Sequence, residues 1–324
     1  MHKRVRRAGF RERQFNTGET EINYIVGPRA GPALVLVPAQ MGTWESYERV
    51  LPPLSQRFQV YAVDLRGHGK SDWTTGDYSW ASVGRDMSAF LSQVVERPAI
   101  VSGNSSGGLV ALWLAANMPQ CVAGIVFEDA PVFSAEMPRF RDRDRFVYQG
   151  LVHLVSTLGD PENRDWARYF AQEVPRSATG KARRIPDWFV TWMAKKIRVA
   201  ETVSTNGVIE LTAGPATLRR LVRSLSTFDP DFARAFVDGR FYGDFDHAQA
   251  LSRVKCPVLV LHANWFRHPD YGLVGAMDDS DAKRIIELVP DAHYQVVKAN
   301  HVIHSFRPRA FVKAICEFAQ SAYG

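Results

Sequence analysis

The chain has 324 residues, 46% of them hydrophobic and 23% charged, which suits a large buried core and excludes a disordered or fibrous protein. Three cysteines, Cys121, Cys256 and Cys316, are odd in number and far apart, which argues against a disulfide framework or a zinc site. The net charge is +6, yet six basic residues against Glu12 alone place +5 within positions 1–13 and leave +1 for the remainder, so the charge does not point to a nucleic-acid partner.

No stretch approaches the roughly 20 apolar residues of a membrane span. The basic start is not followed by an apolar run, so it does not read as a secretory signal. A cytoplasmic protein is expected, with positions 1–13 as a solvated, mobile arm ahead of the first strand.

In chain order, strands are predicted at Glu21–Gly27, Ala33–Val37, Gln59–Leu65, Pro98–Ser102, Val122–Phe127, Pro257–His262 and Tyr294–Lys298. Helices are predicted at Tyr78–Val95, Ser106–Asn117, Ser280–Leu288 and Arg307–Gln320. Continuous β-branched runs bounded by Gly or Pro, with helices between them, indicate an α/β protein with a parallel sheet covered on both faces. From about Val132 to Ser252 this rhythm breaks. That stretch is too long for a loop. It reads as a mainly helical cap, residues 132–252, inserted between core segments 1–131 and 253–324.

Gly103-Asn104-Ser105-Ser106-Gly107 fits G-x-S-x-G. A strand precedes it and an apolar helix follows, the setting in which a serine sits on a sharp turn with its hydroxyl exposed above the sheet. Glycines are needed there because backbone segments approach too closely for a Cβ. A nucleophilic serine needs a base, and histidine titrates in the useful range.

With Asp64–Ser71 (DLRGHGKS) after the third run, the chain resembles the α/β-hydrolase fold, from about residue 20 to 130 and again from 253 to 320. The resemblance implies a mostly parallel eight-stranded sheet flanked by helices. It also implies the order serine, acid, histidine, with the histidine on the loop after the last strand. Here that loop holds His301, and His304 is its rival. For the acid, Ile125–Pro131 (IVFEDAP) ends an apolar strand with two adjacent carboxylates, a costly arrangement unless paired. Neighbours on a strand point to opposite faces, so one of the two aims at the histidine. Asp129 lies 24 residues after Ser105 and Glu128 lies 23; the longer spacing matches hydrolases with the acid here, so Asp129 is preferred, Glu128 is second and Asp270 third. The oxyanion donors are assigned to the backbone N–H groups of Ser106 and of Gln40, in the turn Pro38–Gly42.

Several stretches are more specific. Gly42–Glu48 (GTWESYE), Val60–Ser71, Gly103–Asn117 (GNSSGGLVALWLAAN), Glu128–Phe133 (EDAPVF), Phe228–Arg234, Leu273–Met277 and His301–His304 resemble the zearalenone-hydrolysing lactonases, the bacterial ones more than the fungal. The resemblance implies serine hydrolysis of a macrocyclic resorcylic ester through an acyl-enzyme, without metal or cofactor. The substrate partner is then a small apolar lactone or ester, with no nucleic acid and no membrane, and a homo-oligomer is left open. Ten of the 19 Phe and three of the eight Trp fall in the cap, which suits a flat apolar ligand. Trp188, Met41 and His304 are the expected substrate contacts. The rival activities are a general carboxylesterase or carbon–carbon hydrolase of the same fold and, from another class, a non-catalytic ligand receptor.

Overall fold

The structure is a computed structural model that describes residues 2–175, 177–179 and 182–323. Its main sheet has eight strands: β1 (Arg11–Asn16), β2 (Glu21–Val26), β3 (Ala33–Val37), β4 (Gln59–Val63), β5 (Ala99–Asn104), β6 (Val122–Glu128), β9 (Val258–His262) and β12 (Ala292–Val296). Two short ladders account for the others, β7 (Val174–Pro175) with β8 (Ala182–Arg183), and β10 (Phe266–His268) with β11 (Gly272–Val274). The order across the sheet is β1-β2-β4-β3-β5-β6-β9-β12. Pairing is parallel from β4 to β12 and antiparallel at β1–β2 and β2–β4.

Alternation explains the unbroken apolar runs. In β3, Val35 and Val37 pack into one core while Leu34 and Leu36 pack into the other; in β9, Val258 and Val260 oppose Leu259 and Leu261 in the same way. Both faces are covered, so both residue sets must be apolar. The parallel strands β5, β6, β9 and β12 end on the same edge, where loops can bring distant residues together.

Residues 132–252 are mainly helical among the described residues. The long helices are Phe146–Leu158, Asp187–Val203, Ala216–Ser226 and Pro230–Asp238. Their apolar faces join the core on one side of the sheet: Leu151 and Leu154, Met193 and Ile197, Val222, and Phe232 and Phe236 all belong to it. Helix His247–Ser252 packs against Ser106–Asn117 and Asp279–Leu288 beside the sheet.

The N-terminus corrects an expectation. It is a short helix, Lys3–Arg7, with Val5 fully buried, followed by β1. Val5 and Phe10 sit in the core on the sheet's other side. Positions 1–13 are therefore not an arm ahead of the first strand: they hold a helix anchored by Val5 and Phe10, and the start of β1, with their basic side chains exposed. The strand RERQFN escaped the hydrophobic pattern because β1 is an exposed edge strand, with charge on both faces. The last strand also begins two residues earlier than predicted, at Ala292. It too is an edge strand, mostly exposed, with a weak apolar signal.

Candidate active site

Ser105 lies between the end of β5 and the start of helix Ser106–Asn117. Its backbone has φ 55° and ψ −125°, a conformation that costs on the order of 1–3 kcal/mol for a residue with a Cβ. The surroundings enforce it. A Cβ on Gly103 would lie 2.0 Å from the Gly107 carbonyl oxygen, and one on Gly107 would lie 2.4 Å from that of Val37. The Ser105 N–H donates to the Glu128 carbonyl at 3.0 Å. Asn104 Nδ2 donates to the Glu128 carbonyl at 3.1 Å and to the His301 carbonyl at 3.0 Å. These bonds tie the serine turn to the end of β6 and to the histidine loop.

The adjacent carboxylates at the end of β6 separate. Asp129 Oδ2 lies 2.7 Å from His301 Nδ1, which leaves Nε2 as the free ring nitrogen. Its Oδ1 accepts the Ala263 N–H at 3.0 Å. Burial disfavours the charged His301 ring, but the hydrogen bond and charge of Asp129, helped by the charge of Glu128, outweigh it and hold the pKa above the ordinary histidine value. The His301 side chain is 41% exposed, so it can meet a ligand. Ser105 Oγ makes no hydrogen bond to His301 among the described residues; such contacts often tighten only when substrate binds.

Glu128 takes the other histidine. Its carboxylate accepts the His304 N–H at 2.7 Å and lies 2.8 Å from His304 Nδ1. Both side chains are buried. His304 is therefore neither the rival base nor a substrate contact: its ring is enclosed, 4.0 Å between centroids from Tyr47. Asp270 lies in the exposed turn between β10 and β11, and its backbone N–H donates to His268.

The Gln40 N–H does not stand free. It donates to Ser106 Oγ at 2.8 Å. The Ser106 N–H is in the first turn of its helix and has no partner within it. Next to Gln40, Met41 has φ 64°. Its N–H donates to His68 Nε2 at 3.2 Å, while His68 Nδ1 lies 3.0 Å from the Arg66 carbonyl. Burial pushes the His68 pKa down to about 4, which keeps Nε2 an acceptor. Sequence reasoning missed His68, Asn104 and Tyr47 as supports. All three lie inside motifs read for other reasons, and only their partners distinguish them.

A groove of about 570 Å³ opens beside these residues. Met41, Trp44, Leu221, Ser224, Val302 and Phe306 are among its walls. Ser105 and His301 do not line it; it approaches them through Met41, next to Gln40, and Val302, next to His301. Met41, an expected substrate contact, is one of the groove's walls. Trp188 is not. It is 72% exposed on the outer side of its helix, whose buried face is Val190, Met193 and Ile197. Trp192, one turn on, stacks on Phe189.

The family model for the alpha/beta hydrolase fold matches residues 32–308. The chain belongs to that family. Among curated proteins, an uncharacterized protein of Mycobacterium bovis is 39% identical over 102 residues, 31% of this chain and 30% of that protein. An uncharacterized protein of Mycobacterium tuberculosis matches to the same extent. The chain therefore spans under a third of these relatives' length. Among solved structures, a membrane phospholipase A described as a bacterial virulence factor has TM-score 0.68 at 19% identity, covering 98% of this chain and 88% of that one. A hydrolase from Pseudomonas aeruginosa has TM-score 0.64 at 20% identity, covering 95% and 98%. E-2-(Acetamidomethylene)succinate hydrolase has TM-score 0.61 at 20% identity, covering 96% and 99%. At these identities the likeness is one of fold. No helix among the described residues is long and apolar enough to cross a membrane.

Proposed function

We propose that the chain is a serine hydrolase that cleaves a carboxylic ester, with Ser105 as nucleophile, His301 as base and Asp129 as the acid that orients it. The observation that carries this reading is the strained Ser105 turn bonded to the same strand end that presents Asp129 to His301. Strain at one residue and an acid–histidine bond beside it are costs that packing alone does not call for.

His301 Nε2 takes the Ser105 proton as Oγ attacks the ester carbonyl. The N–H groups of Gln40 and Ser106 hold the oxyanion once the carbonyl oxygen replaces Ser106 Oγ. Collapse expels the alkoxide, which takes the proton from His301. Water, deprotonated by His301, attacks the acyl carbon; the bond to Ser105 Oγ breaks, the acid leaves, and His301 returns the proton to Oγ. The residues perform this without a metal or organic cofactor.

The substrate class that fits the sequence resemblance is a macrocyclic resorcylic lactone, in which the alcohol stays tethered to the acyl-enzyme. The groove walls Met41, Val208, Leu221 and Phe306 give an apolar surface for such a ring. A panel of p-nitrophenyl esters, one resorcylic lactone and one carbon–carbon cleavage substrate, run with wild type and Ser105→Ala, tests both levels. The reading expects lactone turnover that Ser105→Ala abolishes. Ester turnover without lactone turnover makes the chain a general carboxylesterase. Turnover that survives Ser105→Ala overturns the serine mechanism, and binding without turnover makes the chain a receptor.

A further inference from the structure

The second acid–histidine pair has no place in the chemistry above. Glu128 and His304 are buried, joined by three contacts, and lie directly behind the reacting groups. Burying ionisable groups is expensive, and apolar side chains of similar size fill such a space at least as well. The pair's connections suggest what it does instead.

Glu128 meets the serine turn and the histidine loop directly. Its carbonyl accepts the Ser105 N–H and one Asn104 Nδ2 hydrogen bond, and the same Asn104 nitrogen donates to the His301 carbonyl. Its carboxylate grips both the backbone N–H and the ring of His304, three residues beyond His301. The His301 loop is thereby pinned at both ends of one turn. The His304 ring lies against Tyr47, tilted by 30° with centroids 4.0 Å apart, and the Tyr47 hydroxyl donates to the Val37 carbonyl at 2.8 Å. Val37 ends β3, immediately before the turn that carries Gln40.

We propose that Glu128 and His304 are a positioning pair that sets where His301 stands relative to Ser105 and to the oxyanion turn. The inference rests on the serine-hydrolase reading above. The ionisable groups packed around the pair are Asp129 and His301 on one side and Tyr47 on the other. Burial, and then the charge of Glu128, raise the Tyr47 pKa well above its ordinary value, so the phenol stays neutral. The charge of Glu128 also adds to the upward shift of His301.

Two substitutions separate positioning from packing, read by the pH profile of kcat/KM and by kcat and KM for a p-nitrophenyl ester. Glu128→Gln keeps an acceptor for His304 but removes the charge. It is expected to lose no more than about tenfold in kcat, with the acid limb moving down because the charge of Glu128 no longer favours the charged His301 ring. Glu128→Ala removes the grip as well. It is expected to lose about a hundredfold in kcat with KM within about twofold, as a small misplacement of a reacting group does. If both variants fold and keep the wild-type kcat and acid limb, the pair is structural and the inference fails. Should Glu128→Ala not fold, Glu128→Gln decides alone, and an unchanged kcat together with an unmoved acid limb contradicts the proposal. Ser105→Ala, run alongside, reports on the underlying mechanism: if it retains turnover the serine reading has failed, whereas an inactive Ser105→Ala beside unaffected Glu128 variants sinks only the positioning role.

Discussion

Two acid–histidine pairs stand side by side at the end of β6, built from consecutive acids and from histidines three residues apart. Asp129 and His301 open toward solvent, with the imidazole 41% exposed. Glu128 and His304 are sealed, with the imidazole 1% exposed. The chemistry of the two pairs is nearly the same, and their surroundings are not. Asp129 is the first residue beyond the strand, at φ 47°, and turns its carboxylate toward the half-exposed His301. Glu128 is the last residue in the strand, so its side chain follows the pleat to the opposite side. A single step along the backbone divides an acid whose histidine is open to solvent from one whose histidine is sealed.

Substitutions break this comparison most sharply at the exposed pair. Asp129→Asn should lower kcat about 10⁴-fold, because the imidazole loses the partner that fixes its tautomer. The same change at Glu128 should cost no more than about tenfold. Steady-state kinetics on both variants with one ester checks this, and a reversal of the two effects would exchange the roles of the acids.

Stability should respond in the opposite sense. His304→Ala leaves the Glu128 carboxylate buried without its ring partner, a loss of roughly 3–5 kcal/mol. His301→Ala also strips a buried carboxylate of its ring, but it opens the 41% exposed His301 position to water and leaves Asp129 the Ala263 N–H, so it should cost less than His304→Ala. Denaturant unfolding of the two variants gives the contrast directly.

The pH dependence follows from the raised His301 pKa. The base must be neutral, so the acid limb of kcat/KM should lie above the ordinary value of about 6.5. In Asp129→Asn, whose residual rate still reports on the base, the limb should move down because the largest influence favouring the charged ring has gone. Folding carries the opposite sign. A histidine held above its unfolded value stabilises the fold fully below that value and loses the contribution as pH rises through the raised one. A limb below the ordinary histidine value in the wild type contradicts the Asp129 pairing. The smallest effect is expected far from both pairs: Trp188→Ala should leave kcat/KM within about twofold, since the side chain is exposed and outside the groove.

The core of this fold was legible where burial on both faces forces apolar residues at every position. Ala33–Val37 and Ser106–Asn117 coincide with their predicted bounds. Edge strands carry no such constraint, which is why Arg11–Asn16 was invisible and Tyr294–Lys298 was set too late. Within the site, Ser105 could be read from glycines whose absent Cβ atoms are a local requirement. The spacing from Ser105 favours Asp129 over Glu128, but no local signal tells which histidine each acid meets, because those partners lie more than 170 residues away. Trp188 misled because a helix in the insert offers aromatics on several faces, and no local signal tells the face toward the groove from the face toward solvent.

Covalent trapping tests the central claim most directly. Intact-protein mass spectrometry after treatment with a p-nitrophenyl phosphonate, followed by peptide mapping, should find one adduct, on Ser105. His301→Ala should slow its formation about a thousandfold or more, whereas Glu128→Gln should still form it. An adduct on another residue, or none while the untreated protein turns over esters, would contradict the account.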